Sequence, residues 1–298
     1  EFALHGLGID YRNGPLEIGG SFLKDTFQDE HGVAYTAYAG MAIIRTETLS
    51  LSAIGAYAKK DDHASLFIYA VLNYPFGGPA FFFVTGLAAG FGYNRGLRKP
   101  TIDQVAAFPL VAEAVQGSAA AMPSDPTQRR ATLSTELRKL NDFIPPSVGE
   151  NFLAVGLRFT SFELLDTFTV LIVKFGARFE IDVLGLSTLI VPTAAAGNSV
   201  SPLAEAQLAI MAAFIPDEGF LGVQGQLTAN SFVLSRTCHL TGGFAFFSWF
   251  DGPHAGDFVI TLGGYHSKFQ PPSHYPVVPR LGLNWQVNDN LSIKAQGY

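Results

Sequence analysis

LGLNWQVNDNLSIKAQGY, residues 281–298, decides the fold class. Leu281, Leu283, Trp285 and Val287 alternate with Gly282, Asn284 and Gln286. Asn288-Asp289-Asn290 follows, and the alternation resumes with Leu291, Ile293 and Ala295 set against Ser292, Lys294 and Gln296. Successive side chains of a strand point to opposite faces, so a period of two on both sides of an Asn/Asp turn predicts a β-hairpin with one buried face. The sequence stops in mid-strand and begins, without a methionine, in another strand-like run at residues 2–11. A fragment of a longer β-sheet protein is therefore expected.

Working outward, residues 1–95 read as a β-meander. Arg12-Asn13-Gly14-Pro15 supplies the first turn, Asp29-Glu30-His31-Gly32 the next and Lys59-Lys60-Asp61-Asp62 a third. Between them Leu49, Leu51, Ala53, Gly55 and Tyr57 alternate. Residues 63–94 contain no Asp, Glu, Lys or Arg, a length that suits a membrane helix. Tyr74-Pro75-Phe76-Gly77-Gly78-Pro79 in the middle rules that out, because prolines and glycines break a helix. Two strands, 66–73 and 80–89, joined by this loop are expected, with Phe81-Phe82-Phe83-Val84 covered on both faces.

Residues 100–146 carry the helix signals. Thr101 with Asp103 suits one helix start, and Pro109 either kinks that helix or opens a second. Asp125-Pro126 is a cap-and-first-residue pair. Leu133, Leu137, Leu140 and Ile144 then fall at helical spacing before Pro145-Pro146 ends the run. This insertion, around residues 101–144, is expected to cap the sheet. Residues 150–298 return to hairpins. Phe175, Ala177, Phe179, Ile181 and Val183 form one face there, with Lys174, Arg178, Glu180 and Asp182 on the other, a charged face expected in water. Pro216-Asp217-Glu218-Gly219 and Asp251-Gly252-Pro253 supply further turns. The whole reads as a mainly β, single β-rich domain over 1–298: a large antiparallel meander, curled or layered and able to close like a barrel, with one helical insertion.

Composition narrows the function classes. The 298 residues are 48% apolar and only 15% Asp, Glu, Lys or Arg, against about 25% charged in an ordinary soluble domain. The mean hydropathy is +0.24. So few charges imply two-sided burial, a partner or self-assembly surface, or contact with lipid. A net charge of −6 argues against nucleic acid. The basic cluster Arg129, Arg130, Arg138 and Lys139 is diluted by Asp125, Glu136 and Asp142 and reads as a solvated helix face. Cys238 is alone, which leaves no internal disulfide, so the chain can be cytoplasmic or exported without disulfides.

Three candidate sites stand out. Thr85-Gly86-Leu87-Ala88-Ala89-Gly90-Phe91-Gly92 fits the glycine turn of short-chain dehydrogenases, with Gly86, Gly90 and Gly92 as the residues that would admit a dinucleotide pyrophosphate. No helix follows and no Tyr-x-x-x-Lys pair exists, so a glycine-rich bend packed under a helix is the preferred reading. His254, His266 and His274 are spaced 12 and 8 apart, unlike a compact metal motif, yet three loops at one sheet edge can converge. Asp25, Asp29 and Glu30 lack the spacing of a calcium loop. Cys238 and His239 should point to opposite faces, leaving a buried structural cysteine. No catalytic constellation and no bound cofactor are expected.

Four stretches taken together, GGPAFFFVTGLAAGFGYNR (77–95), FTSFELLDTF (159–168), CHLTGGFAFFSWFDGPHAGDFVITLGGYH (238–266) and HYPVVPRLGLNWQV (274–287), resemble a bacterial domain-of-unknown-function family numbered six-six-zero-three. The resemblance implies a long β-rich protein that continues past Tyr298 as more strands. It implies no catalytic residues. The expected function is a non-enzymatic structural or interaction module with a protein partner or self-association. An apolar-ligand, lipid-binding or membrane-contacting sheet is the alternative, and a dinucleotide-dependent oxidoreductase a distant one.

Overall fold

Among the described residues, alternating side chains build one 17-stranded sheet, wrapped on one side around a helical segment. The computed structural model describes residues 6–28, 34–60, 62–116, 126–192 and 201–297. Eleven strands follow one another as an antiparallel meander. They are β1 (Gly6–Asn13), β2 (Leu16–Gln28), β3 (Ala34–Arg45), β4 (Ser50–Lys60), β5 (His63–Gly77) and β6 (Phe83–Arg95). After the helical segment come β7 (Pro146–Ser161), β8 (Leu165–Phe175), β9 (Glu180–Val191), β10 (Ala204–Ile215) and β11 (Phe220–Leu227). At β10 the sheet forks. Ala204 and Glu205 pair with β12 (Phe232–Val233), and residues from Leu208 onward pair with β11.

One branch continues from β11 to β14 (Gly243–Trp249) and β15 (Phe258–Leu262). The other runs from β12 through β13 (Ser235–Thr241) and β16 (Leu281–Asn288) to β17 (Leu291–Gly297). The two β regions thus share one sheet, and it does not close into a barrel.

The helical segment comprises a 3-10 turn (Ile102–Ala107), α1 (Pro109–Gln116) and α2 (Pro126–Phe143). Thr101 starts it with its amide donating to the Gln104 side chain at 3.1 Å. Pro109 opens α1 rather than kinking a longer helix, as suits a residue without an amide hydrogen. The expected cap at Asp125 lies outside the described residues, as does the turn at 29–32. Segment residues contact β2, β5, β8, β9, β10 and β11. Strands that far apart in a flat sheet could not reach so small a body, so the sheet curls around it.

The core follows from this wrapping. Phe67, Tyr69, Phe152, Phe168, Val170, Ile172 and Leu184 on the inner face meet Val105, Phe108, Leu110, Val111 and Ile144 of the segment. Each such side chain contributes about 1.5–3 kcal/mol by leaving water. Tyr69 donates from its hydroxyl to the Leu110 carbonyl at 3.1 Å, which satisfies the one polar atom it buries.

Four expectations need correction. Residues 81–82 are not in a strand: β6 starts at Phe83, and Phe82 closes a turn by donating from its amide to the Pro79 carbonyl at 2.8 Å. Phe81 is 62% exposed, so this greasy run begins at a loop tip and is not covered on both faces. The glycine stretch is no bend either. Gly86, Gly90 and Gly92 lie in the extended strand β6. A Cβ on Gly92 would sit 2.2 Å from the Phe152 ring, and one on Gly90 2.4 Å from the Ile68 carbonyl oxygen. These glycines make room for neighbouring side chains and backbone, and no helix N-terminus follows to face a phosphate.

The third correction concerns Lys174, Glu180 and Asp182, which line the inner face and are largely buried, while Val173, Ile181 and Val183 take the outer one. A hairpin turn at 176–179 separates β8 from β9, where one continuous alternation was expected. Fourth, the 281–297 hairpin forms as expected, but every residue of β17 is exposed. β16 pairs with β13 on one side and with β17 on the other.

Candidate functional site

The outer face of the sheet is the largest chemical anomaly of the molecule. Because partners across a ladder point to the same side, the register identifies its rows. One row runs Ala42, Ala53, Ala70, Ala89, Val155, Leu171, Val183, Ala212, Val223, Phe246 and Ile260, from β3 to β15, without a polar side chain. The next, Gly40, Gly55, Ile68, Phe91, Leu153, Val173, Ile181, Phe214 and Leu221, is equally apolar. From β2 to β11 the outward positions carry only two charges, Lys24 and Lys59.

At that end Phe22 stacks on Tyr38 at 5.8 Å, Tyr38 meets Tyr57 at 6.2 Å, and Lys24 lies over the Tyr38 ring at 5.6 Å. The ten strands from β2 to β11 at ~4.8 Å spacing and six residues of height at ~3.3 Å give about 1,000 Å². A typical monomer exposes apolar patches of only a few hundred Å².

Beneath this sheet lies an ionic cluster. Lys99 Nζ is 2.8 Å from Glu180 and 3.3 Å from Asp182, and Lys174 Nζ is 2.9 Å from each carboxylate. Arg178 reaches Glu180 at 2.9 Å. Burial works to raise the Glu180 carboxyl, but hydrogen bonds from Lys99, Arg178 and Lys174 outweigh it and hold the group well below its usual range. Asp182 goes the other way: its burial dominates and pushes its carboxyl up against the pull of the two lysines.

Arg95 lies beside them, donates from Nη1 to the Ile144 carbonyl at 2.9 Å, and is pulled down to about 10 by burial. With Lys99, Lys174, Arg178, Glu150 and Glu180 it lines a cleft of about 260 Å³. The ion pairs of Lys99, Lys174 and Arg178 with Glu180 and Asp182 tie β8, β9 and the start of the helical segment together.

The histidines divide. His254, in a 3-10 turn after β14, and His274, in the connection between β15 and β16, stack at 3.8 Å between ring centroids with planes 14° apart. Asp257 joins them: its Oδ2 lies 3.0 Å from His274 Nε2 and 3.9 Å from His254 Nδ1. Trp249 stands edge-on to His274 at 4.8 Å and stacks on Tyr275 at 5.9 Å. His266 is outside this group, its Nδ1 accepting from the Lys268 amide at 3.2 Å. The signal for Asp257 was available as His-x-x-Asp within one turn, but only folding brings His274 to it. Cys238 is buried in β13, with His239 on the opposite side. Asp251 caps its own turn, accepting from Gly252 at 2.7 Å, and Asp25 accepts from the Thr26 amide at 2.8 Å. Asp29 and Glu30 lie outside the described residues.

Fold and site together define an open antiparallel sheet curled on its own helices, with its greasy side outward. The chain belongs to the family of unknown function DUF6603, whose family profile matches residues 1–298. No curated protein and no solved structure matched it.

Proposed function

We propose that this chain is a non-enzymatic β-rich interaction module whose outer sheet face is the surface it works with. One observation carries the reading: an outward face from β2 to β11 with only Lys24 and Lys59 as charges. The sheet's inner face is already filled by its own helical segment, so the outer side chains are not needed for that core. About 1,000 Å² matches one side of an ordinary protein interface, near 800 Å² per partner. The partner this chemistry selects is another apolar protein layer, a second copy of the chain included.

A second reading is contact with lipid. Tyr38, Tyr57 and Tyr93 occupy one level of β3, β4 and β6, with Leu66 of β5 between the last two and Lys24 and Lys59 beside them, as side chains do at a membrane–water boundary. Against spanning stands the open sheet, since unpaired edge groups are costly in hydrocarbon. No helix among the described residues is long and apolar enough to cross a membrane, which says nothing of strands.

Light scattering on the purified chain, with flotation on neutral phospholipid vesicles alongside, tests both. A concentration-dependent oligomer that Leu153→Lys dissociates supports the module. Flotation lost on the same substitution moves the face to lipid. A monomer that neither associates nor floats, with or without the substitution, sinks the proposal.

A further inference from the structure

The stacked pair His254 and His274 with Asp257 is a second site, independent of the apolar face. We infer that it binds one divalent transition-metal ion, zinc being the natural occupant, which clips the long β15–β16 connection to the tip of the β14–β15 hairpin. The argument begins with the donors. Two imidazole nitrogens and a carboxylate oxygen lie within 4.8 Å of one another, and that set suits zinc and its neighbours. Bonds of ~2.1 Å from a common ion hold such donors a little over 3 Å apart, so the His254 ring must swing out of the stack and Asp257 turn with it for the three to converge on one ion. His254 and Asp257 are 42% and 47% exposed and have that room. Three protein ligands leave a position open for water.

The backbone beneath is held in place. Ala255 donates to the Gly252 carbonyl at 3.2 Å and Asp257 to the His254 carbonyl at 2.9 Å, which fixes the two turn ligands at a spacing of three. On the other side the Tyr265 hydroxyl donates to the Pro276 carbonyl at 2.9 Å, and the Tyr275 hydroxyl to the Phe258 carbonyl at 3.3 Å. Trp249 and Tyr275 wall the site. One carboxylate beside two imidazole nitrogens is a donor set that a divalent ion can share, with both nitrogens as neutral ligands.

Residues 263–280 form no strand or helix, yet they carry His274 to the hairpin. A shared ion would close that loop, which is where cross-links constrain an unfolded chain most.

The test uses tag-free protein and zinc chloride in calorimetry, with cobalt(II) as a spectroscopic probe. One zinc per chain is expected, with affinity falling at least ~100-fold in His254→Ala and in His274→Ala, beyond what loss of an outer-shell partner costs. His266→Ala is expected to bind as the unsubstituted chain does. In a Trp285→Phe background, cobalt is expected to quench Trp249 fluorescence, and Asp257→Asn, which keeps the side-chain shape, to weaken that quenching. Circular dichroism of each metal-free variant shows that it is folded. The inference is overturned by absence of a stoichiometric zinc, or by a zinc whose affinity is the same in His254→Ala, His274→Ala and the unsubstituted chain.

Discussion

Phe152 and Val155 lie three residues apart on β7 and face opposite sides of the sheet, so paired substitutions there separate core from working surface. Phe152 is 1% exposed; its ring lies 6.0 Å from that of Phe67 and rests directly on Gly92. Gly92 leaves no side chain to fill the space if the ring is removed. Phe152→Ala is therefore expected to cost about 3–5 kcal/mol, the range for an aromatic cavity that cannot collapse. Val155 is 63% exposed and touches no core cluster. Val155→Lys is expected to change folding stability by no more than about 1 kcal/mol, the spread of strand preference at an open position.

Its effect on association is the reverse. A lysine placed in a dry apolar contact without a partner should weaken that contact at least ~100-fold, about 2.7 kcal/mol. Urea unfolding reads the first quantity as a shift in midpoint at constant slope, and light scattering reads the second. Phe152→Leu provides a milder core change if the alanine variant does not fold. The reasoning is refuted if Val155→Lys unfolds the chain as severely as Phe152→Ala, because the two faces would then have been assigned the wrong way round.

Acid unfolding should separate the two buried carboxylates. Glu180 titrates lower folded than unfolded, so its stabilisation is present above its ordinary value of 4.5 and is lost as pH falls below that; Glu180→Gln should flatten the acid limb of the stability profile. Asp182 titrates higher when folded, so its own linkage adds stability as pH falls towards its ordinary value of 3.8 and none below it, and Asp182→Asn should remove that gain at the top of the acid limb. Gly92→Ala, which puts a methyl 2.2 Å from the Phe152 ring, should lower the urea midpoint by an amount equivalent to about 1–3 kcal/mol, and retention of full stability would show that the ring moves freely. The double variant Gly92→Ala with Phe152→Leu should recover part of that loss, since the smaller side chain vacates the space the methyl takes.

Much of the architecture was legible in residue order alone. Period-two alternation marks β4 and the terminal hairpin, because a strand presents its side chains to two sides wherever it lies. Pro216 to Gly219 reads as a turn because Gly219 takes a left-handed φ of 60° and leaves space that the Asp251 backbone fills. The helical segment announces itself through Pro109, Leu140, Ile144 and the prolines behind them.

Alternation distinguishes the two faces of a strand but does not say which one meets the core. At β8 and β9 the polar face looked like the wet one, yet Lys174, Glu180 and Asp182 are inside, because Lys99 and Arg178 arrive there to match their charges. The apolar partners Val173, Ile181 and Val183 were left outside. The Gly86, Gly90 and Gly92 spacing likewise has one meaning in a turn and another in a strand, and only the neighbouring Phe152 ring and Ile68 carbonyl decide between them. His254 and His274, twenty positions apart, met through the path of residues 263–280, which carries no periodic pattern to read. Local stereochemistry thus marked most elements of this protein in its sequence, though not the turn at 176–179 or the start of β6, while the side each element turns to its neighbours was settled only by the curl of the sheet around its helices, a property of long-range packing.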